Sequence, residues 1–161
     1  MMPVKELKTE GWHARVEKAY REEGQRLWKA LLLFSGDPHL SSDAVSEAFA
    51  QALARGDAIK SVTAWVWRTA FRVAAGELKA RRDVSSNVEE MTYEMVDPFP
   101  EVLEHLRRLS PKQRAAVVLH HYAGYPAAEI ARILGSTPTA VGVHLHRGRR
   151  RLRRLLEDAN D

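Results

Sequence analysis

Apolar residues recur along this chain at helical spacing. Val45, Ala48, Phe49, Ala52 and Leu53 stand at i, i+3, i+4, i+7 and i+8, a full apolar stripe that stops at Arg55-Gly56-Asp57. Upstream, Tyr20, Leu27, Trp28, Leu31 and Leu32 predict a longer helix, closed by the turn signal Gly36-Asp37-Pro38. Downstream, Val62, Trp65, Val66, Thr69, Ala70 and Val73 predict a third helix through about Leu78. Nothing alternates at period two for long enough to make a sheet, so the chain reads as all α.

The C-terminal part is punctuated more tightly. Ser110-Pro111-Lys112-Gln113 combines an N-cap serine, a proline at the first helical position and glutamine at N3, a capping box opening a helix through Tyr122. A second helix is predicted from about Pro126 to Leu134 with Gly135 as its terminator, and Thr137-Pro138 caps and starts a third. Helix, tight glycine-containing turn, helix is the helix-turn-helix pattern. In the last helix Val141, Leu145, Leu152 and Leu156 share one face, and Thr139, Val143, His146, Arg147, Arg150 and Arg154 project from the other.

Charge divides the chain in three. Residues 1–82 hold 14 Lys and Arg against 10 acids, residues 83–104 hold seven acids and no Lys or Arg, and residues 105–161 hold 11 against 4. Two basic blocks thus flank an acidic segment whose Ser85-Ser86-Asn87 and Asp97-Pro98-Phe99-Pro100 favour turns over helix. This predicts a domain of residues 1–82, an acidic linker of 83–104 and a second domain of 105–161. On the third predicted helix Arg68, Arg72, Lys79 and Arg82 fall within an arc of about 80°, opposite Val66, Ala70 and Val73, with Trp65, Trp67 and Phe71 nearby. Basic stripes with interleaved aromatic residues suit a nucleic-acid backbone and its bases.

Composition narrows the chemistry. The 161 residues include no cysteine, which excludes disulfides, thiolate nucleophiles and thiolate-bound zinc or iron–sulfur centres. The longest apolar run is the short Leu31–Phe34, and the N-terminus has no apolar signal core, so a cytoplasmic protein without membrane insertion is expected. The net charge of +4 favours a nucleic-acid partner.

With these blocks in order, the chain resembles the small two-domain RNA polymerase sigma factors of the extracytoplasmic-function group of the sigma-70 family, from about Tyr20 to Leu156. Asp43-Ala44-Val45-Ser46-Glu47-Ala48-Phe49 looks like region 2.2, and Ala64-Trp65-Val66-Trp67-Arg68-Thr69-Ala70 looks like regions 2.3 and 2.4. Leu109-Ser110-Pro111-Lys112-Gln113-Arg114, Glu129-Ile130-Ala131, Leu134-Gly135 and Leu145-His146-Arg147 look like region 4. The resemblance implies a non-enzymatic promoter-specificity subunit without cofactor or metal. Its partners would be core RNA polymerase, through the β′ clamp helices and the β flap, and promoter DNA, with an anti-sigma factor as a candidate regulator.

It further implies a division of residues. Asp43, Ser46, Glu47 and Phe49 would contact polymerase. Asp57, Ile59, Lys60, Trp65, Arg68, Arg72, Lys79 and Arg82 would hold the minus-ten element, with unstacked bases caught in the loop Gly56–Val62. His120, Thr139, Gly142, Val143, His146, Arg147, Arg150 and Arg154 would read the minus-thirty-five duplex.

The sequence departs from the family at Ser46, where Gln is usual, at Arg72, usually Asn, and at Gly76, usually Asp. In the recognition helix Gly142 and Val143 replace a basic residue and Ser, and His144 replaces Arg. The base-reading face has lost polar reach, and Val143 becomes a candidate for contact with a thymine methyl.

Two other readings compete. A helix-turn-helix regulator of the same shape would bind DNA without polymerase. A metal-dependent hydrolase would use His120, His121, His144 and His146, but only Glu129 lies near them in sequence to supply a carboxylate.

Overall fold

The computed structural model describes residues 4–84 and 100–160, and all of its regular elements there are helical. Three long helices come first: α1 (Val4–Ser35), α2 (Pro38–Arg55) and α3 (Val62–Val84). Four follow the linker region: α4 (Pro100–Arg107), α5 (Pro111–Val117), α6 (Ala127–Leu134) and α7 (Pro138–Ala159). Between α5 and α6 the chain makes a π-helical turn, Val118–Tyr122.

The first three helices pack on one another as an N-terminal body. The apolar stripe of α2 is buried at Val45, Ala48, Phe49 and Ala52, whereas Leu53 at its end stays 44% exposed. The buried stripe of α1 reaches further upstream than Tyr20, through Trp12, Val16 and Ala19, and the Trp12 indole donates to the Ala52 carbonyl at 3.2 Å. Asp37 caps α2, accepting from the His39 and Leu40 amides at 2.9 and 3.2 Å. Its other carboxylate oxygen accepts from Arg81 Nη1 at 2.7 Å, which fastens the end of α3 to the start of α2. Burial pushes the Asp37 carboxyl up, but the Arg81 guanidinium and the two amides outweigh it and hold the pKa below the usual aspartate value.

In the C-terminal body the predicted capping box is formed: Ser110 Oγ accepts from the Gln113 amide and Gln113 Oε1 from the Ser110 amide, both at 3.2 Å. Gly135 ends α6 with φ +65°, a conformation that suits glycine, and Ser136 N–H closes onto the Ala131 carbonyl at 2.8 Å. Helix α4 straddles the expected boundary at 104, with residues 100–104 on the linker side. It is only eight residues long and would be marginal alone; Leu103 and Leu106 are buried, and it packs on α1 and α7. At the other end α3 runs through Val84, past the expected boundary at 82. The central part of the expected linker, 85–99, lies outside the described residues.

The two bodies meet along a seam in which α6 packs on α3 and α1 contacts α4, α5 and the π turn. Trp67 is fully buried there, stacked on Phe71 at 6.2 Å and met edge-on by Tyr125 at 5.3 Å. Arg26 lies over the rings of Trp67 and Tyr125, at 5.2 and 5.7 Å, and donates to the Ala123 carbonyl. The Glu23 carboxylate accepts from both Arg26, at 3.1 Å, and the Trp67 indole, at 3.2 Å. Elsewhere in the seam Arg114 lies over Phe34 at 5.4 Å, its Nε buried without a hydrogen-bond partner among the described residues. Burial, then the charges of Arg82 and Arg107, push its pKa down to about 10.

Candidate nucleic-acid interface

Helix α7 is held by one face and free on the other. Thr137 caps it, its Oγ1 accepting from the Ala140 amide at 3.1 Å, and Pro138 fills the first turn. Val141, Leu145 and Gly148 are buried and Leu152 is half-buried, so the apolar stripe faces α5 and α6 as its spacing requires. Leu156, expected on that stripe, is 51% exposed, because the last turns of this 22-residue helix have less of the body to pack on.

Thr139, Gly142, Val143, His146, Arg147, Arg150 and Arg154 are all exposed, within an arc of about 140°. Arg153 shares that arc, between Gly142 and His146, and is also exposed. It was absent from the sequence-based set although the same angular count places it there.

The other two arginines of α7 are tied back to the body. Arg149 Nε donates to His121 Nε2 at 2.9 Å, and Arg151 Nε donates to the Arg108 carbonyl at 2.8 Å. Between α7 and the start of α5 runs an open groove of about 480 Å³, bordered by Arg147, Arg150, Arg151 and Arg154, with Gln113 and Asp158. His144 is half-buried, and its pKa is lowered by burial, then by Lys112 and Arg147. His120 does not belong to this face: it sits half-buried in the π turn, with Nδ1 3.0 Å from the Tyr125 carbonyl.

A second basic face lies on α3, where Arg68, Arg72, Lys79 and Arg82 are exposed on one side and Trp65 is half-buried. Arg81 points away from this stripe toward Asp37. In the loop before α3, Asp57 and Lys60 are exposed, but Ile59 is 6% exposed and belongs to the core. A single isoleucine in a short loop belongs to no helical or alternating repeat, so its inward turn was not legible.

On α2, Asp43, Ser46 and Glu47 are exposed, and Glu47 accepts from Gln51 at 2.8 Å. Phe49, expected among the contact residues, is buried instead. It meets the edge of Tyr20 at 5.1 Å, with the planes at 85°. Tyr20 itself is 56% exposed and Leu53 44%, so two large apolar side chains stand out beside the polar residues of this face. Helical spacing places Leu53 on the apolar stripe of α2 and Tyr20 among the apolar positions of α1, but neither is covered.

The four histidines weighed as metal ligands do not converge. His120 and His121 touch edge to face at 4.9 Å, and each has its own protein partner. Among the described residues no three His, Cys, Asp or Glu side chains are grouped as a metal site would require. No described helix is long and apolar enough to cross a membrane.

The comparisons with known proteins fall on these same elements. The family model described as sigma-70, region 4, matches residues 100–152, from α4 through most of α7. Over 160 residues the chain is 27% identical to the ECF RNA polymerase sigma factor SigL of Mycobacterium tuberculosis, covering 90% of each. In fold it is similar to CnrH, solved with the cytosolic domain of CnrY. There the TM-score is 0.70 at 22% identity, over 96% of this chain and 95% of that one. It is similar also to the sigma factor RpoE of Bartonella quintana, solved with the anti-sigma factor NepR. That match has a TM-score of 0.68 at 22% identity, over 85% of this chain and 95% of the other.

Proposed function

The chain belongs to the extracytoplasmic-function group of the sigma-70 family of RNA polymerase sigma factors, and from that premise we propose how its surfaces divide the work. It is a promoter-specificity subunit that binds core RNA polymerase and directs transcription initiation. The observation that carries this reading is a coincidence: the region 4 match spans a helix-turn-helix whose second helix keeps an exposed basic face.

The C-terminal body lays α7 in the major groove of the minus-thirty-five element. Arg147, Arg150, Arg153 and Arg154 neutralise phosphates and release condensed counterions. The α3 stripe of Arg68, Arg72, Lys79 and Arg82 holds the backbone beside the minus-ten bases, with Asp57, Lys60 and Trp65 at the mouth of the preceding loop. Flipping a base out of the stack costs a few kcal/mol, which such contacts must offset. The α2 face of Asp43, Ser46 and Glu47, extended by Tyr20 and Leu53, meets the clamp helices of β′. Exposed aromatic and aliphatic side chains ringed by polar ones suit a protein interface.

The two promoter elements lie about two helical turns of DNA apart, roughly 70 Å. A molecule whose α6 is packed on α3 cannot span them. Polymerase binding therefore draws the two bodies apart across residues 85–99, and the described arrangement is the closed form. An anti-sigma factor would act by favouring such a form. The protein works in the cytoplasm, beside the chromosome.

The test uses the full chain and purified core polymerase. The expected result is co-purification with core and new transcription start sites that depend on the chain. Promoter affinity should fall steeply with salt. A chain that binds DNA with that salt slope yet is not retained by core would be a helix-turn-helix regulator instead.

A further inference from the structure

Two glycines lie within α7, and the fold accounts for one of them. A Cβ at Gly148 would stand 2.8 Å from Val117 Cγ2, so α5 closes that position to any side chain. A Cβ at Gly142 would meet nothing within 4 Å, and no positive φ requires glycine there. Glycine inside a helix weakens it relative to alanine, so Gly142 costs stability with no compensating gain inside the molecule. The remaining use of a bare backbone is close approach by something outside the protein.

Its neighbour sharpens the case. Val143 is 42% exposed, stiff at χ1 and without hydrogen-bonding groups. The exposed face of α7 is thus divided along its length: Thr139, Gly142, Val143 and His146 form a half without arginine, and Arg147, Arg150, Arg153 and Arg154 form the other. In a major groove the arginines find phosphates and guanine edges, whereas the base-edge group that suits a valine is the thymine 5-methyl.

We propose that Gly142 and Val143 set the sequence preference of this protein: the bare helix surface at Gly142 lets α7 sit deep in the groove, and the Val143 methyls pack on a thymine methyl. The proposal rests on reading α7 as the minus-thirty-five helix.

The test uses holoenzyme assembled from the full chain and core polymerase, which selects a duplex element from a randomised pool. Each thymine of that element is then replaced by deoxyuridine, which removes only the 5-methyl. At one thymine the replacement should weaken wild-type binding about fourfold, the scale of one buried methylene, and the same replacement should have no effect in Val143→Ala. Gly142→Ala should raise the melting temperature while weakening binding to the selected element, a combination that a purely structural role for glycine would not give.

A selected element without thymine, one indifferent to every deoxyuridine, or a Val143→Ala holoenzyme that keeps the fourfold penalty would overturn the proposal. So would a Gly142→Ala holoenzyme that binds as tightly as wild type. A pool from which holoenzyme enriches nothing would overturn the underlying reading as well, and is distinguishable because no element emerges to be substituted.

Discussion

Helices α3 and α7 are both long, both amphipathic and both basic on the exposed side, yet they are held in different ways. The inner face of α7 is covered within its own body, by α5, α6 and a little of α4. The inner face of α3 is shared: α1 and α2 cover part of it, and α6 from the other body packs on it as well. Trp67 marks the shared part, with Phe71 on one side and Tyr125 of the C-terminal body on the other. An apolar stripe says that a helix face will be covered; it does not say by what. In α7 the cover comes from its own body, whereas part of the cover of α3 comes from the other body and would be lost in the separation proposed above.

The largest effect expected from this contrast is in α7. Leu145→Ala removes a side chain only 5% exposed and should cost about 2–5 kcal/mol, enough to unfold much of the C-terminal body. Arg147→Ala, on the free face, should leave the melting temperature within a degree or two and weaken promoter binding. Thermal melts of the two variants decide it, and an unchanged melting temperature for Leu145→Ala would refute the facing of the helix.

The seam of α3 should respond to a gentler change. Arg26→Ala deletes the cation over Trp67 and Tyr125 and the donor to the Ala123 carbonyl, a loss of about 1–2 kcal/mol from the closed form. That is roughly a tenfold shift toward open molecules. Distances between labels at the exposed positions Ala54 and Ala159 should lengthen and broaden in the variant, with helix content unchanged. Core polymerase should produce the same lengthening in wild type, and a distribution insensitive to both would reject the seam as a closure.

The smallest effect concerns the attachment of α3 within its own body. The pKa of Asp37 is depressed in the folded state, so its pairing with Arg81 stabilises the protein above the unfolded-state value of about 3.8. That contribution is lost as pH falls through the lower folded value. Arg81 is partly exposed, which limits the contribution to about 0.2–1 kcal/mol. Asp37→Asn keeps a capping oxygen but removes the charge, so its melting temperature should fall less than that of wild type between pH 5 and pH 3. Parallel melting curves across that range would show the ion pair to be inert.

What the sequence determined by itself was everything governed by near neighbours. The helical repeat of α2 and α3, the Ser110–Gln113 capping box, the Gly135 terminator and the Thr137 cap all act over a few residues, and their residue types announce them. The exposed face of α7 followed from counting positions around one helix. Distant partners left no such trace. Arg26 reaches a carbonyl 97 residues away and Arg81 a carboxylate 44 residues away. The inward turn of Ile59, the short α4 and the π turn that sets His120 apart from the exposed face of α7 were likewise decided by what packs against them. Gly142 and Gly148 make the point within one helix: the same residue type, six positions apart, is free at one and demanded by Val117 at the other. Local structure is written in torsional preferences and hydrogen bonds a turn apart, but the tightness of a given contact exists only once two elements have met.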